Sequence, residues 1–257
     1  MSRIPVIDPP IIVIGKSFTI YGEDHNDIDN QFYETINRTF DDTHRVLVEH
    51  STYKPFLEIE EITLRSVPDK ESLIAKMKGS EWIYLRRLVD GKPVEPIDIR
   101  VENGFATARQ ESTLYELGRS DPFQFLDFIR EKVKVIGVHK EAYNKPGIKE
   151  VYTSIHTDFK EQLSIFIKNL EQKVLDLDNI DKICKNLRSL GTLFVDSNLL
   201  DIIVENNRKR THKKHLAIFV GARHAMNLFR FLQENGVKDL EIKTTKKGEK
   251  LIEYIKK

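Results

Sequence analysis

This chain carries one cysteine and one tryptophan among its 257 residues. Cys184 alone cannot close an intrachain disulfide, which excludes the disulfide-stapled secreted class and points to a reducing compartment. It stands among Ile180, Ile183 and Leu187, so a small buried thiol is expected rather than a nucleophile. No run approaches the ~18 apolar residues of a membrane span, and the N-terminal stretch lacks the apolar core of a secretory signal. These absences predict a cytoplasmic protein with no membrane partner. Charge of one sign does not dominate either: 41 basic residues face 40 acidic ones, for a net charge of +1. A nucleic-acid partner is therefore not expected. There is no Gly-x-Ser-x-Gly elbow, Walker A loop, dinucleotide glycine fingerprint, His-Glu-x-x-His or Cys-x-x-Cys pair. Most nucleotide-binding and serine-hydrolase readings fall with them.

What is present suits one globular chain. Hydrophobic residues make up 40% and charged residues 32%, enough for a core and a hydrated surface. Ile11–Gly15 and Phe18–Tyr21 read as strands joined by a turn at Lys16 and Ser17. A helix capped by Asn26 or Asp27 follows, with Ile28, Phe32, Ile36 and Phe40 at four-residue spacing. Arg45–Val48 reads as a strand ending in Glu49, and Pro68 and Asp69 open a helix around Leu73–Met77. Trp82–Leu85 and Val94–Ile99 read as further strands, and Asp121 and Pro122 start a helix over Phe123–Val133. From about 149 to 210 the pattern is helical, in at least three pieces. Leu216–Val220 is strand-like, a helix runs from His224 to Gln233 and closes at Asn235-Gly236, and a strand at Leu240–Lys243 precedes a terminal helix. The expected fold is α/β: a single domain over 1–257, with a central, mainly parallel sheet flanked by helices and a helical insert before the last strands.

Chemistry concentrates at strand ends. Gly22 is followed three residues later by His25, and Gly221 by His224, each after an apolar run and before a helical pattern. Composition alone would give roughly 0.4 such Gly-x-x-His matches. In an open α/β sheet, strand C-termini face the crevice where ligands bind, so the two could bring both imidazoles together. Glu23 beside His25 could fix its tautomer or share a cation, the alternative being a solvated helix start. Glu49 ends a buried strand, where a carboxylate is costly unless paired or used. Asp98 and Arg100 share a face by strand alternation; Arg100 could clamp an anion or form a structural pair with Asp98. Arg223 lies within the second motif, and Asn206 borders an apolar helix face. His212 and His215 fall among lysines and read as a basic loop.

Taken in order, this pattern resembles the TraB/TIKI, ChaN and erythromycin-esterase-like superfamily. TraB/TIKI members carry two Gly-x-x-His motifs, matched by Gly22 to His25 and Gly221 to His224. The added acid, Glu23, is closer to the erythromycin esterases and ChaN-like proteins. The resemblance implies catalytic roles for Glu23, His25, Glu49 and His224, and substrate contacts from Asp98, Arg100, Arg223 and Asn206. TraB/TIKI proteins often carry an Arg-Asn or Arg-Asp pair on the helix before the second motif; only Asn206 matches it here.

The resemblance implies a hydrolase that activates water in a His/Glu-lined cleft to cleave an ester, lactone or peptide bond of a small-molecule or peptide substrate. A divalent metal (Mn, Co or Zn) held by His25, His224 and Glu49 is one route. A ChaN-like ligand- or haem-binding protein without catalysis is the alternative, as is an interaction protein docking through its helical middle. The sequence does not give the oligomeric state.

Overall fold

The structure, a computed structural model, describes residues 9–24, 30–105, 108–208, 214–246 and 248–250. The first motif's His25 and the basic-loop His212 lie outside the described residues, as do Asn26, Asp27 and Ile28 and most of the expected terminal helix. Strands β1 (Ile11–Gly15) and β2 (Phe18–Glu23) form the expected hairpin, paired from Ile11↔Gly22 to Gly15↔Phe18. Helix α1 (Asn30–Asn37) leads to β3 (His44–Ser51). Helices α2 (Lys54–Ser66), α3 (Lys70–Ile74) and α4 (Gly79–Val89) then lead to β4 (Glu95–Asp98). Asp69 caps α3 through the Ser72 N–H at 3.0 Å, as its sequence predicts. Helices α5 (Ala108–Ser120), α6 (Pro122–Val138), α7 (Ile148–Glu171) and α8 (Leu177–Arg208) fill the middle of the chain. The chain closes with β5 (His215–Gly221), α9 (Ala222–Glu234) and β6 (Glu241–Thr244).

The sheet runs β4-β3-β5-β2-β1-β6. β4, β3, β5 and β2 are mutually parallel, and β1 is antiparallel to both its neighbours, β2 and β6. The α/β fold with a mainly parallel sheet is thus present. A strand with parallel neighbours on both sides is covered on both faces, which explains the unbroken apolar run Leu216–Val220, wholly inaccessible to solvent. Alternation sorts the two faces. Ile12, Tyr21, Val46, Val48, Ala217 and Phe219 pack against Tyr33 of α1, Leu64 of α2 and Trp82–Leu85 of α4. Tyr21 and Phe219 stack at 4.7 Å, and a fully buried Phe contributes about 1.5–3 kcal/mol. α9 covers the opposite face around β2. A Cβ at Gly22 would stand 2.6 Å from the Ala225 Cβ and 3.2 Å from the Ala222 Cα. Only glycine lets strand and helix approach so closely.

The chain divides into two compact units: Met1–Asp98 with Leu199–Lys257, which contains the sheet, and Ile99–Asn198. The second unit is helical. Asp121 caps α6 by accepting from the Gln124 N–H, and Phe125, Phe159, Phe166, Ile180, Ile183 and Leu187 are buried. Cys184 is buried as expected, and burial pushes its thiol up to about 12.

Two expectations are corrected. Trp82–Leu85 is not a strand but the middle of α4, where all four residues are buried. A helix enclosed on most sides loses its 3.6-residue period and mimics a short buried strand. The helical stretch expected from about 149 to 210 is present as α7 and α8, but as two long helices rather than three or more.

Candidate functional site

β3 and β5 are neighbours, so their C-terminal ends lie side by side. Glu49 near the end of β3 and Gly221 at the end of β5 meet there. The Gly221 N–H donates to Glu49 Oε2 at 2.7 Å, and His224 Nε2 lies 3.3 Å from Glu49 Oε1. Gly221 precedes the first helical residue, Ala222, so this carboxylate sits at the N-terminus of α9, where the helix dipole favours an anion. His224 follows within the first turn. Both side chains are largely sheltered, His224 at 7% and Glu49 at 12% exposure. A neutral imidazole that donates through Nε2 to this carboxylate would carry its basic lone pair on Nδ1. Arg223 is exposed on the same turn.

The first motif is built differently. Register sets Gly22 opposite Val220 and Glu23 opposite Gly221, so the two glycines are not equivalent. Gly22 lies inside β2 and makes room for α9. Glu23 points to the α4 face, alternating with Gly22, whereas Glu49 reaches toward α9. Glu23 is only 1% exposed, and its carboxylate accepts two bonds from the start of α4: the Ser80 N–H at 2.7 Å and the Ser80 hydroxyl at 2.7 Å. Glu23 therefore ties α4 to the sheet. Its expected partner His25 lies outside the described residues.

The remaining expected residues fall on several elements. Asp98 ends β4, and its carbonyl accepts from Thr52, tying the edge strand to the end of β3. Arg100 falls past the strand, in a turn of the helical unit, so the expected Asp98–Arg100 alternation along one strand is corrected. Asn206 is buried in α8 and donates to the Lys214 carbonyl at 2.9 Å, just before β5 begins. Strand β5 separates that point from Gly221 by about 20 Å at ~3.3 Å per residue. Asn206, expected to contact substrate, thus lies at the opposite end of β5 from the Glu49–His224 pair. It lines instead a cavity of about 570 Å³ with His44, Arg45, Glu95 and Lys214, where Arg45 and Glu95 form a bidentate pair. His215, at that same end, accompanies the Thr19 hydroxyl at 3.0 Å, and burial, then the neighbouring His44, hold its pKa below the ordinary histidine value.

A second acid–imidazole pair escaped sequence reasoning. His50, the residue after Glu49, turns to the opposite face, bonds Glu60 of α2 at 2.7 Å and stacks on Tyr84 of α4 at 4.0 Å. Burial, then Glu60 and Glu61, push the Tyr84 hydroxyl up to about 12. Its signal was the dipeptide Glu49-His50: alternation commits two adjacent strand residues to opposite faces.

Among the described residues, no three His, Cys, Asp or Glu side chains group to hold a metal. Of the three expected metal ligands, Glu49 and His224 are brought together and His25 lies outside the described residues. No described helix is long and apolar enough to cross a membrane. Compared with protein-family models, with curated proteins and with solved structures, the chain matches none.

Proposed function

We propose that this protein is a hydrolase of the TraB/TIKI and erythromycin-esterase-like type, in which the Glu49–His224 pair activates water against an ester, lactone or peptide carbonyl. The observation that carries this reading is the pair itself: a carboxylate that orients an imidazole at the C-terminal crest of a parallel sheet, beside a helix N-terminus. Nδ1 of neutral His224 takes a proton from water as its oxygen bonds to the carbonyl carbon. Glu49 stabilises the imidazolium that forms. First-turn N–H groups of α9 offer donors to the developing oxyanion, and Arg223 supplies positive charge for an acidic substrate group. The imidazolium then returns its proton to the leaving oxygen or nitrogen as the bond to carbon breaks. No step in this scheme passes through a metal.

A second reading is a crevice that binds a ligand, haem included, without chemistry. It is favoured by the use of both acids as structural acceptors, Glu23 by Ser80 and Glu49 by Gly221. A panel of aryl esters, lactones and peptides, run with and without Mn, Co or Zn, separates the two. Turnover by wild type that disappears in His224→Ala supports the hydrolase. Equal background rates in both proteins under all conditions remove it, and haem titration by absorbance then tests the binder.

A further inference from the structure

At the opposite end of β5 from the Glu49–His224 pair, the cavity of about 570 Å³ has the size of a small-molecule site. The described residues that line it all belong to the sheet-containing unit. Ile202, Glu205 and Asn206 stand at i, i+3 and i+4 on α8 and so share one helix face. The start of β3 supplies Arg45 and Val46, and Pro93 and Glu95 come from the entry to β4. Lys214 stands just before β5.

What these side chains leave uncommitted says what fits. Arg45 donates Nε and Nη2 to the two Glu95 oxygens at 2.7 and 2.6 Å, which holds the guanidinium in place. Among the described residues its Nη1 donates to none. The bond from Asn206 Nδ2 to the Lys214 carbonyl fixes which end of that amide is oxygen. Asn206 is only 4% exposed, yet its Oδ1 accepts from no described donor, a cost that a ligand N–H would remove. Lys214 pairs with no acid among the described residues. Glu205 brings the opposite charge: Arg45 is held above the ordinary arginine value by its bonds to Glu95 first, and in smaller part by the Glu95 and Glu205 charges. A carboxylate is thus served by Lys214 and Arg45 Nη1, and an ammonium by Asn206 Oδ1 and Glu205. The two described cations of the wall are balanced by its two described acids, which favours a ligand carrying both charges over a plain anion or cation.

We propose that this cavity binds a free α-amino acid with an apolar side chain. Its carboxylate meets Lys214 and Arg45, its ammonium meets Asn206 and Glu205, and its side chain lies against Val46, Pro93 and Ile202.

Isothermal titration calorimetry of the full chain with L-leucine and L-phenylalanine tests this. Wild type should bind both with a Kd of roughly 10–1,000 µM, in keeping with ligands of so few heavy atoms. N-acetyl-L-leucine, which lacks the ammonium, and L-leucinamide, which lacks the carboxylate, should each bind roughly tenfold more weakly or worse. Lys214→Met and Glu205→Gln change exposed side chains, so each should keep the wild-type melting temperature while weakening L-leucine several-fold. A wild type that binds neither amino acid at about 10 mM overturns the proposal. So does binding that survives both substitutions, or N-acetyl-L-leucine that binds as tightly as L-leucine, which would make the cavity a plain anion site.

Discussion

Gly22→Ala tests the reason a glycine stands in the first motif. The added Cβ would lie 2.6 Å from the Ala225 Cβ, 3.2 Å from the Ala222 Cα and 3.3 Å from the Ile11 Cβ. Ordinary contact begins at 3.4 Å, so strand and helix must part by about 0.8 Å (3.4 less 2.6). None of these atoms ends a flexible side chain, and the packed interior yields little. Overpacking of this kind costs about 1–3 kcal/mol, and rigid neighbours on three sides argue for about 2–3. For a chain of this size the melting temperature should drop by about 4–12 °C, at about 2–4 °C per kcal/mol. Gly137→Ala in α6 is the control: it meets nothing within 4 Å and should be neutral or stabilising by up to about 1 kcal/mol. Ala225→Gly should recover part of the Gly22→Ala loss, because contacting residues couple in a double-mutant cycle. Thermal and urea unfolding of wild type, the three single variants and the Gly22→Ala/Ala225→Gly double variant checks this. A Gly22→Ala protein as stable as wild type, with no coupling to Ala225, would refute the packing explanation.

Three further outcomes follow from particular side chains. Glu49→Gln sets an amide against donors at both Gly221 N and His224 Nε2, so it should cost about 1.5–3 kcal/mol in urea unfolding. His215 has a folded pKa below its unfolded value of about 6.5. Its contribution is complete above that pH and is lost as pH falls towards the folded value, so His215→Gln should flatten part of the stability slope below pH 6.5. Cys184, with its thiol pushed up to about 12, should resist alkylation at pH 8 in the native protein and react fully in urea.

The sheet was legible where apolar runs were bounded by turn residues. The β1–β2 hairpin, β5 with its unbroken Leu216–Val220, and α9 closed by Asn235-Gly236 all sit within a residue or two of expectation. Helix α2 left no clear reading because its buried face is thin and its apolar residues point outward, which blurs the periodicity. The site was half legible. A strand-end acid followed far along the chain by Gly-x-x-His pointed to Glu49 and His224, and β3 and β5 are indeed adjacent. Which strands neighbour each other, and which face an end residue takes, are properties of the assembled sheet. For that reason the sequence alone does not show that Glu23 bonds Ser80 or that Asn206 stands at the far end of β5.

The central claim is that Glu49 serves His224 in chemistry rather than only closing the β5–α9 turn. The most direct measurement is the pH profile of kcat and KM for Glu49→Gln beside wild type, on whichever ester or lactone the wild type turns over. If Glu49 orients the imidazole and stabilises its charged form, kcat should fall on the order of 10²-fold with KM little changed. Wild-type activity should decline as pH falls through the pKa of the essential imidazole, about 6.5 when unperturbed. A folded Glu49→Gln protein that keeps the wild-type kcat and the same pH profile would contradict the account and leave the pair as a structural clasp.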